Sequence, residues 1–178
     1  MKKNHYTMIG FTLTELLVTL AVFGILIPMA VNGYSAIFAQ QALIQKTERL
    51  YHFLRFAKSQ SIKYNKKVYV HFCQQGNSGE WKMAMTDLPS CDCFVANSCL
   101  LNGLEHIEEV SDGKTLFTSA SDITFNGNQA SYSPMRFSIN AGSVTLTDLT
   151  GYKLKVIQST IRLRVCSPDQ AQLGYKKC

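Results

Sequence analysis

The apolar residues of this 178-residue chain change their spacing once, near residue 65. Between Leu16 and Val31 they form an almost continuous run. Farther along, the apolar residues recur at intervals of seven, four and three, which is the spacing of one helix face: Leu43, Leu50, Leu54 and Ala57. Because no proline interrupts residues 34–64, the pattern predicts one long helix from about Thr12 to about Tyr64.

Beyond Asn65 the period becomes that of a strand. Val68, Val70 and Phe72 alternate with polar or aromatic residues, and a Gly-containing turn leads to Trp81, Met83 and Met85, so we expect a hairpin. Further short alternating runs predict strands at Ile123/Phe125, Met135/Phe137/Ile139, Val144/Leu146, Tyr152/Leu154/Val156 and Ile161/Leu163/Val165. Residues 87–114 are acidic and rich in turn signals, so we expect them to be irregular. The predicted fold class is α+β, a long N-terminal helix packed on an antiparallel β-rich globular head.

The first apolar run is long enough to cross a membrane. Residues 11–31 span a hydrocarbon core of about 30 Å at about 1.5 Å per residue. A single carboxylate, Glu15, interrupts the beginning of the run. A charge inside a membrane helix costs about 2.5–3.5 kcal/mol on insertion scales, so we expect Glu15 to be functional.

Two simpler interpretations of this segment remain open. An ordinary secretory signal would be cleaved after its apolar core, and small residues between Ala30 and Ser35 offer such a site. A plain membrane anchor needs only the apolar length. Neither interpretation accounts for Glu15.

Charge is distributed unevenly along the chain. The formal net charge is +6, with residues 46–67 carrying +6, residues 68–150 carrying −6 and residues 151–178 carrying +5. Such asymmetry favours electrostatic docking to partner subunits, and a basic end can also attract phosphates.

The spacing of the cysteines and histidines indicates that the cysteines form structural disulfides and that neither residue type builds a catalytic or metal site. All six cysteines follow the apolar run, which favours disulfides in an oxidising compartment. The spacing of Cys91, Cys93 and Cys99 matches no common zinc pattern, and the four histidines are scattered. We therefore expect no enzyme activity, no cofactor and no metal.

The leader resembles that of type IV prepilins. A short basic segment with Lys2 and Lys3 ends at Gly10, and Phe11, the carboxylate Glu15 and the apolar run follow. The resemblance implies cleavage by a prepilin peptidase between Gly10 and Phe11 and N-methylation of Phe11. It also implies an assembly role for Glu15, whose carboxylate would pair with the methylated amino group of Phe11 on a neighbouring subunit.

A second resemblance is carried by residues along most of the chain: the stretch Leu54–Ile62 running into Lys66–Val70, the later Cys73, Gly79, Trp81 and Asp87, Phe125 with Gly127, and Arg162-Leu163-Arg164. Their layout resembles that of the FimT/GspH family of minor pilins and pseudopilins. Lys58 and Gln60 replace the arginine and glutamate usual in that family, and its glycine before the last basic strand is absent at Thr160-Ile161.

The resemblance implies an organisation and a function. Residues 1–10 would be the leader, 11–33 the transmembrane and assembly half of the helix, 34–65 its periplasmic half, and 66–178 the globular head of a pilin fold. The protein would be a type IV pilus minor pilin that initiates or caps assembly; the alternative is a GspH-like pseudopilin of a type II secretion system. Implied partners are major and minor pilins, the prepilin peptidase and the inner-membrane assembly platform. The implied location is the inner membrane with a periplasmic head, then the fibre.

Two features of the C-terminal region complete the expectation. Many pilins fasten this region by a disulfide, which implies a Cys166–Cys178 bond; the other four cysteines (Cys73, Cys91, Cys93 and Cys99) allow three pairings. Some FimT-like minor pilins bind DNA in transformation, and this chain has a basic end suited to that partner: Lys153, Lys155, Arg162, Arg164, Lys176 and Lys177. Tyr175, beside them, is expected to stack on a base. A solvated strand face and a docking surface for another pilin are the alternatives.

Overall fold

The structure is a computed structural model that describes residues 11–76, 79–135 and 140–178, without the side chains of residues 29–33. The chain divides into two compact units, with the boundary between Ile37 and Phe38. Helix α1 runs from Leu13 to Tyr64, as predicted, and contains Pro28. In the first unit, the large apolar side chains from Phe11 to Ile27 expose 50–77% of their surface.

The second unit, residues 38–178, is built on two antiparallel sheets and is called the β-rich unit below. The first sheet has the order β5-β2-β1-β7 and the second the order β10-β9-β8-β6, while β3 and β4 form a small hairpin. The strands are β1 (Val68–Gln74), β2 (Glu80–Thr86), β3 (Leu100–Leu101), β4 (Leu104–Glu105), β5 (Ile107–Asp112), β6 (Leu116–Phe117), β7 (Gln129–Tyr132), β8 (Gly142–Asp148), β9 (Lys153–Gln158) and β10 (Leu163–Cys166).

The core of this unit joins one face of α1 to the inner faces of both sheets. The four helix residues predicted to share a face are all buried, namely Leu43, Leu50, Leu54 and Ala57. They belong to one cluster with alternate residues of the sheets, such as Val70, Trp81 and Leu154. Burial of this apolar stripe explains why the helix continues through the β-rich unit.

A buried polar network links the two sheets. Tyr132 on β7 donates its hydroxyl to the side-chain oxygen of Gln158 on β9. Gln158 in turn donates to the carbonyl of Asn140 at 3.0 Å, and the Asn140 side-chain oxygen accepts from the Ser131 amide at 2.9 Å. Tyr132 and Gln158 are almost fully buried, so these bonds replace the water that both side chains lose on folding.

The hairpin predicted for residues 68–85 is confirmed as β1 and β2, with Val70 opposite Met85 and Phe72 opposite Met83. The predicted strands near residues 144–146, 152–156 and 161–165 are confirmed as β8, β9 and β10. The sequence did not reveal β7, whose Gln-Ala-Ser-Tyr segment lacks apolar alternation and forms a strand by pairing with β1.

The structure differs from the sequence-based prediction at residues 87–114 and at Ile123/Phe125. The prediction of irregular structure over residues 87–114 was wrong in part, because β3, β4 and β5 lie there; the acidic β5 pairs with the edge of β2. A strand at Ile123/Phe125 was also wrong, since Ile123 makes only an isolated bridge to Val144 between two short 3-10 turns. Met135 lies outside any strand, and Phe137 and Ile139 lie outside the described residues.

Three disulfides are present in the β-rich unit. Cys73–Cys93 and Cys91–Cys99 have Cα–Cα distances of 5.8 and 5.3 Å, and this is one of the three pairings left open by the sequence. Cys93 and Cys99 are buried against Ala84, which faces away from the main core on β2. The two bonds therefore hold the segment between β2 and β3 over the outer face of the first sheet.

Candidate functional site

The N-terminal residues singled out by sequence lie at the beginning of α1. Gly10 is outside the described residues, Phe11 is exposed, and Glu15 is in the first turn of the helix. The Thr12 hydroxyl accepts a hydrogen bond from the Glu15 amide at 3.3 Å, which is the bond of an N-cap residue. The spacing Thr12-x-x-Glu15 is a helix-start signal that is readable in the sequence alone.

The apolar side chains that follow Glu15 have no covering partner within their own unit, residues 11–37. A contiguous apolar surface of this kind is typical of a segment that contacts other proteins or lipid. Across residues 11–76, 79–135 and 140–178, no helix combines the length and the apolar character that crossing a membrane requires.

The basic residues of the C-terminal region are brought onto one side of the second sheet. In β9, Leu154, Val156 and Gln158 are buried, whereas Lys153, Lys155 and Ile157 alternate with them on the outer side. Arg164 is paired with Ile157, so it shares that side. We call this surface the lysine face, defined by Lys153, Lys155 and Arg164. Lys153 lies 3.8 Å from the carboxylate of Asp169.

The remaining cations lie beside the lysine face. Lys176 and Lys177 are exposed in the C-terminal loop. Two backbone hydrogen bonds of 2.9 Å join this loop to Ser167: the Ser167 carbonyl accepts from the Cys178 amide, and the Ser167 amide donates to the Lys176 carbonyl. Arg162 precedes β10 and is exposed at its end. The basic residues found by sequence are therefore neighbours in space, with Arg162 at the margin.

A disulfide and several hydrogen bonds attach the C-terminal loop to the sheet. Cys166 is bonded to Cys178, the pair that the sequence resemblance implies, with a Cα–Cα distance of 5.1 Å. The Gln172 side chain donates to the Lys153 carbonyl at 3.0 Å. These contacts give the loop a defined position beside β9.

Tyr175 attaches the C-terminal loop to helix α1. Its hydroxyl donates to the Glu48 carboxylate on α1 at 2.5 Å, and its ring packs against the main core. Burial, together with the bond and the charge of Glu48, raises the pKa of Tyr175 to about 12. The ring is partly buried against the core, so only part of its surface is open to a nucleic-acid base, and base stacking by Tyr175 stays a prediction.

The histidines do not assemble a reactive site in the described part of the chain. His71 is buried under the disulfide-bonded segment with its Nε2 3.3 Å from the Leu88 carbonyl. Burial lowers its pKa, an effect that the Leu88 contact partly opposes. Among the described residues, no group of three or more histidine, cysteine or acidic side chains is placed to hold a metal ion.

Comparison with known proteins gives one match. The family model described as type II transport protein GspH matches residues 46–168, which is well over half of the chain and includes every strand of the β-rich unit. No curated protein and no solved structure matches this chain. Members of the matched family are structural, non-enzymatic subunits of the pilin and pseudopilin type. The matched region, together with the long helix and the antiparallel sheets, shows that this chain belongs to the GspH family.

Proposed function

We propose that this protein is a minor pilin of a type IV pilus, a structural subunit that initiates or caps assembly of the fibre. The observation that carries the proposal comes from the first unit, in which the lone carboxylate of Glu15 in the first helical turn precedes an exposed apolar surface. A single helix of this design can pack against others like it, and Glu15 then needs a positive partner to offset its loss of water.

The proposal includes the steps that precede assembly. The chain is inserted into the inner membrane by residues 11–33, with residues 34–178 in the periplasm. The prepilin peptidase cuts between Gly10 and Phe11, and Phe11 is methylated. The protein then meets the assembly platform and other pilins, major and minor. Three disulfides in the β-rich unit support an oxidising compartment outside the cytoplasm.

A deletion strain tests this proposal against its nearest alternative, a GspH-like pseudopilin of a type II secretion system. The family match supports both kinds of subunit. Surface pili are sheared and quantified, and secreted proteins are profiled from the same cultures. Loss of pili with normal secretion supports the minor pilin. Loss of secretion with normal pili identifies the pseudopilin and overturns the proposal.

DNA binding is a second candidate function, favoured by the geometry of the lysine face. Lys153, Lys155 and Arg164 project from one side of the second sheet, beside exposed Lys176 and Lys177. A surface that neutralises phosphates binds DNA with little sequence preference and loses affinity steeply as salt rises.

The test of DNA binding uses a duplex of arbitrary sequence and the full chain in detergent. Replacing Lys155, Arg164, Lys176 and Lys177 by glutamine should reduce the salt dependence and the affinity together. The matched control replaces Lys63, Lys66 and Lys67 on the other basic segment. Equal binding by the lysine-face variant and the native chain would reject this function.

A further inference from the structure

An exposed apolar side chain beside an arginine projects from the turn between β9 and β10. Ile161 is 83% exposed. Three hydrogen bonds between Ser159 and Arg162 close the turn. The Arg162 carbonyl accepts from the Ser159 amide at 2.8 Å and from the Ser159 hydroxyl at 3.0 Å, and the Arg162 amide donates to the Ser159 hydroxyl at 3.0 Å. Because both ends are fixed, Ile161 and Arg162 are presented together at little cost in conformational entropy. We call this feature the Ile161 turn, residues 159–162.

Arg162 has no acidic partner among the described residues. It borders a cleft of about 280 Å³ next to α1, where Arg55 lies with its guanidinium 5.7 Å from the centre of the Tyr51 ring. No carboxylate lines the cleft, whose walls are Tyr51, Arg55, Ile161, Arg162 and Leu163. This flank of the helix is therefore positive and incompletely paired.

The other flank of the helix carries a groove of complementary character. It has a volume of about 280 Å³ and is lined by Arg49, His52, Phe53, Phe56 and Glu108. We call it the phenylalanine groove. Phe56 is 41% exposed, and its ring makes an edge-on contact with the His106 ring, with 5.7 Å between the two ring centres. Glu108 on β5 is exposed and has no ion-pair partner in the part of the chain that the structure describes. The groove thus places the Glu108 carboxylate beside an apolar floor, with the basic side chains of Arg49 and His52 along its helix wall.

The two surfaces lie on opposite sides of the buried stripe of α1. A helix turns about 100° per residue, so Tyr51 and Arg55 fall on one side of Leu50 and Leu54, and Phe53 with Phe56 falls on the other. Since the sheets cover the stripe itself, the Ile161 turn cannot reach the phenylalanine groove of its own chain. A contact between them requires two copies.

We propose that the Ile161 turn of one copy docks into the phenylalanine groove of a second copy of this chain, with Ile161 against Phe53 and Phe56 and Arg162 paired with Glu108. The apolar part excludes water from the ion pair, and the pair sets the orientation of the contact. The contact joins two different surfaces, so a pair of copies leaves one turn and one groove unoccupied at its ends.

This inference rests on the proposed role as a fibre subunit and specifies a lateral contact between neighbouring β-rich units. It is tested in cells with the full chain, in which the photo-reactive amino acid p-benzoylphenylalanine replaces Ile161. After illumination, fibres and membranes are collected separately. We expect a cross-linked homodimer, with the link mapped by mass spectrometry to the peptides that contain Phe53 or Phe56.

A matched control places the same photo-reactive residue at Leu149, which is 62% exposed in the turn between β8 and β9. It should give no homodimer linked at Phe53 or Phe56. Cross-linking of position 161 to a different pilin, to DNA or to nothing overturns the second copy as the occupant. Absence of the protein from fibres while the homodimer still forms in membranes would instead overturn the proposed function and leave the contact standing.

Charge exchange tests the ion pair independently of the probe. In the chain with the photo-reactive residue at position 161, Arg162→Glu should lower the homodimer yield about tenfold, because it places two carboxylates together. Adding Glu108→Arg should restore the yield. Lys67→Glu, the same charge reversal at an exposed residue outside both the turn and the groove, should leave the yield unchanged. Failure of the double variant to recover would reject the Arg162–Glu108 pairing.

Discussion

Tyr175 and Glu48 are 127 residues apart in sequence and joined by a hydrogen bond of 2.5 Å between hydroxyl and carboxylate. The bond attaches the C-terminal loop to helix α1, at the opposite end of the chain. Together with the Cys166–Cys178 bond, it gives the loop two independent attachments, one to β10 and one to the helix. The basic residues Lys176 and Lys177 therefore project from a rigid support.

The Tyr175–Glu48 bond predicts a loss of stability at alkaline pH. Burial and then Glu48 raise the folded-state pKa of Tyr175 to about 12, whereas an unfolded tyrosine titrates near about 10. Because the folded state holds the hydroxyl proton more tightly, Tyr175 contributes its full stabilisation below about pH 10 and loses that contribution as the pH rises to about 12. Urea denaturation of native and Tyr175→Phe chains across this range should show a shallower decline in the variant. Parallel declines would contradict the prediction.

Removing the C-terminal disulfide should lower the free energy of unfolding. Cys166 and Cys178 are 12 residues apart, and closing a loop of this size is worth about 2–3 kcal/mol in the chain-entropy estimate. The double variant Cys166→Ser/Cys178→Ser should lose about that amount in chemical denaturation. It should also be cut faster within residues 168–177 by added protease. An unchanged cleavage rate would mean that Tyr175 and the hydrogen bonds hold the loop alone.

The buried link between Tyr132 and Gln158 should carry a measurable share of the stability. Tyr132→Phe leaves the Gln158 side-chain oxygen buried without its donor, which costs about 1–3 kcal/mol. Tyr152→Phe is the matched control, since Tyr152 is partly buried against the same core. Its substitution should change the free energy of unfolding by less than about 0.5 kcal/mol. Equal costs for the two variants would show that the link contributes nothing beyond ring packing.

We predict that the folded protein loses stability at mildly acidic pH because His71 is buried. Burial lowers the folded-state pKa of His71 below the unfolded value of about 6.5, so the folded state favours the neutral ring. The contribution is fully present above about pH 6.5 and is lost as pH falls toward the folded-state pKa. The variant His71→Gln should therefore show a flatter stability profile between about pH 5 and pH 7. An unchanged slope of stability against pH in His71→Gln would contradict the prediction.

Glu15 predicts a defect in assembly without a defect in insertion. If its carboxylate pairs with the amino group of Phe11 on a neighbour, Glu15→Ala should remain in the membrane but enter sheared fibres about tenfold less or worse. Thr12→Ala is the control, because it removes the hydrogen bond to the Glu15 amide while keeping the charge. Normal incorporation of the Glu15 variant would contradict the assembly role.

Local patterns in the sequence were enough for the elements whose signals are strong. The spacing of Leu43, Leu50 and Leu54 predicts the helix, and the alternation on either side of residues 75–79 predicts the β1–β2 hairpin. Both signals are reliable because one face of each element must be buried, so the apolar period reports the geometry directly. The basic residues of β9 and β10 also follow from alternation, since strand side chains point to opposite faces in turn.

Strands β5 and β7, which have weak sequence signals, form because they pair with neighbouring strands. β5 is acidic and β7 is a short polar segment, and neither has an apolar period that would distinguish it from a loop. Each forms because an edge of the first sheet, β2 or β1, offers unpaired backbone groups. Pairing of this kind depends on which segments the rest of the fold brings together, and no window of sequence contains that information.

The sequence by itself determined the two-part design of this protein, an apolar N-terminal helix followed by a β-rich unit, because hydrophobic periodicity is written locally. The tertiary structure alone decided which cysteines meet, that Tyr175 turns inward to Glu48, and that Ile161 and Phe56 are exposed on opposite flanks of one helix. These relationships join residues far apart in the chain. They exist only after the core has packed, because burial of the apolar faces sets the distances between all the remaining side chains.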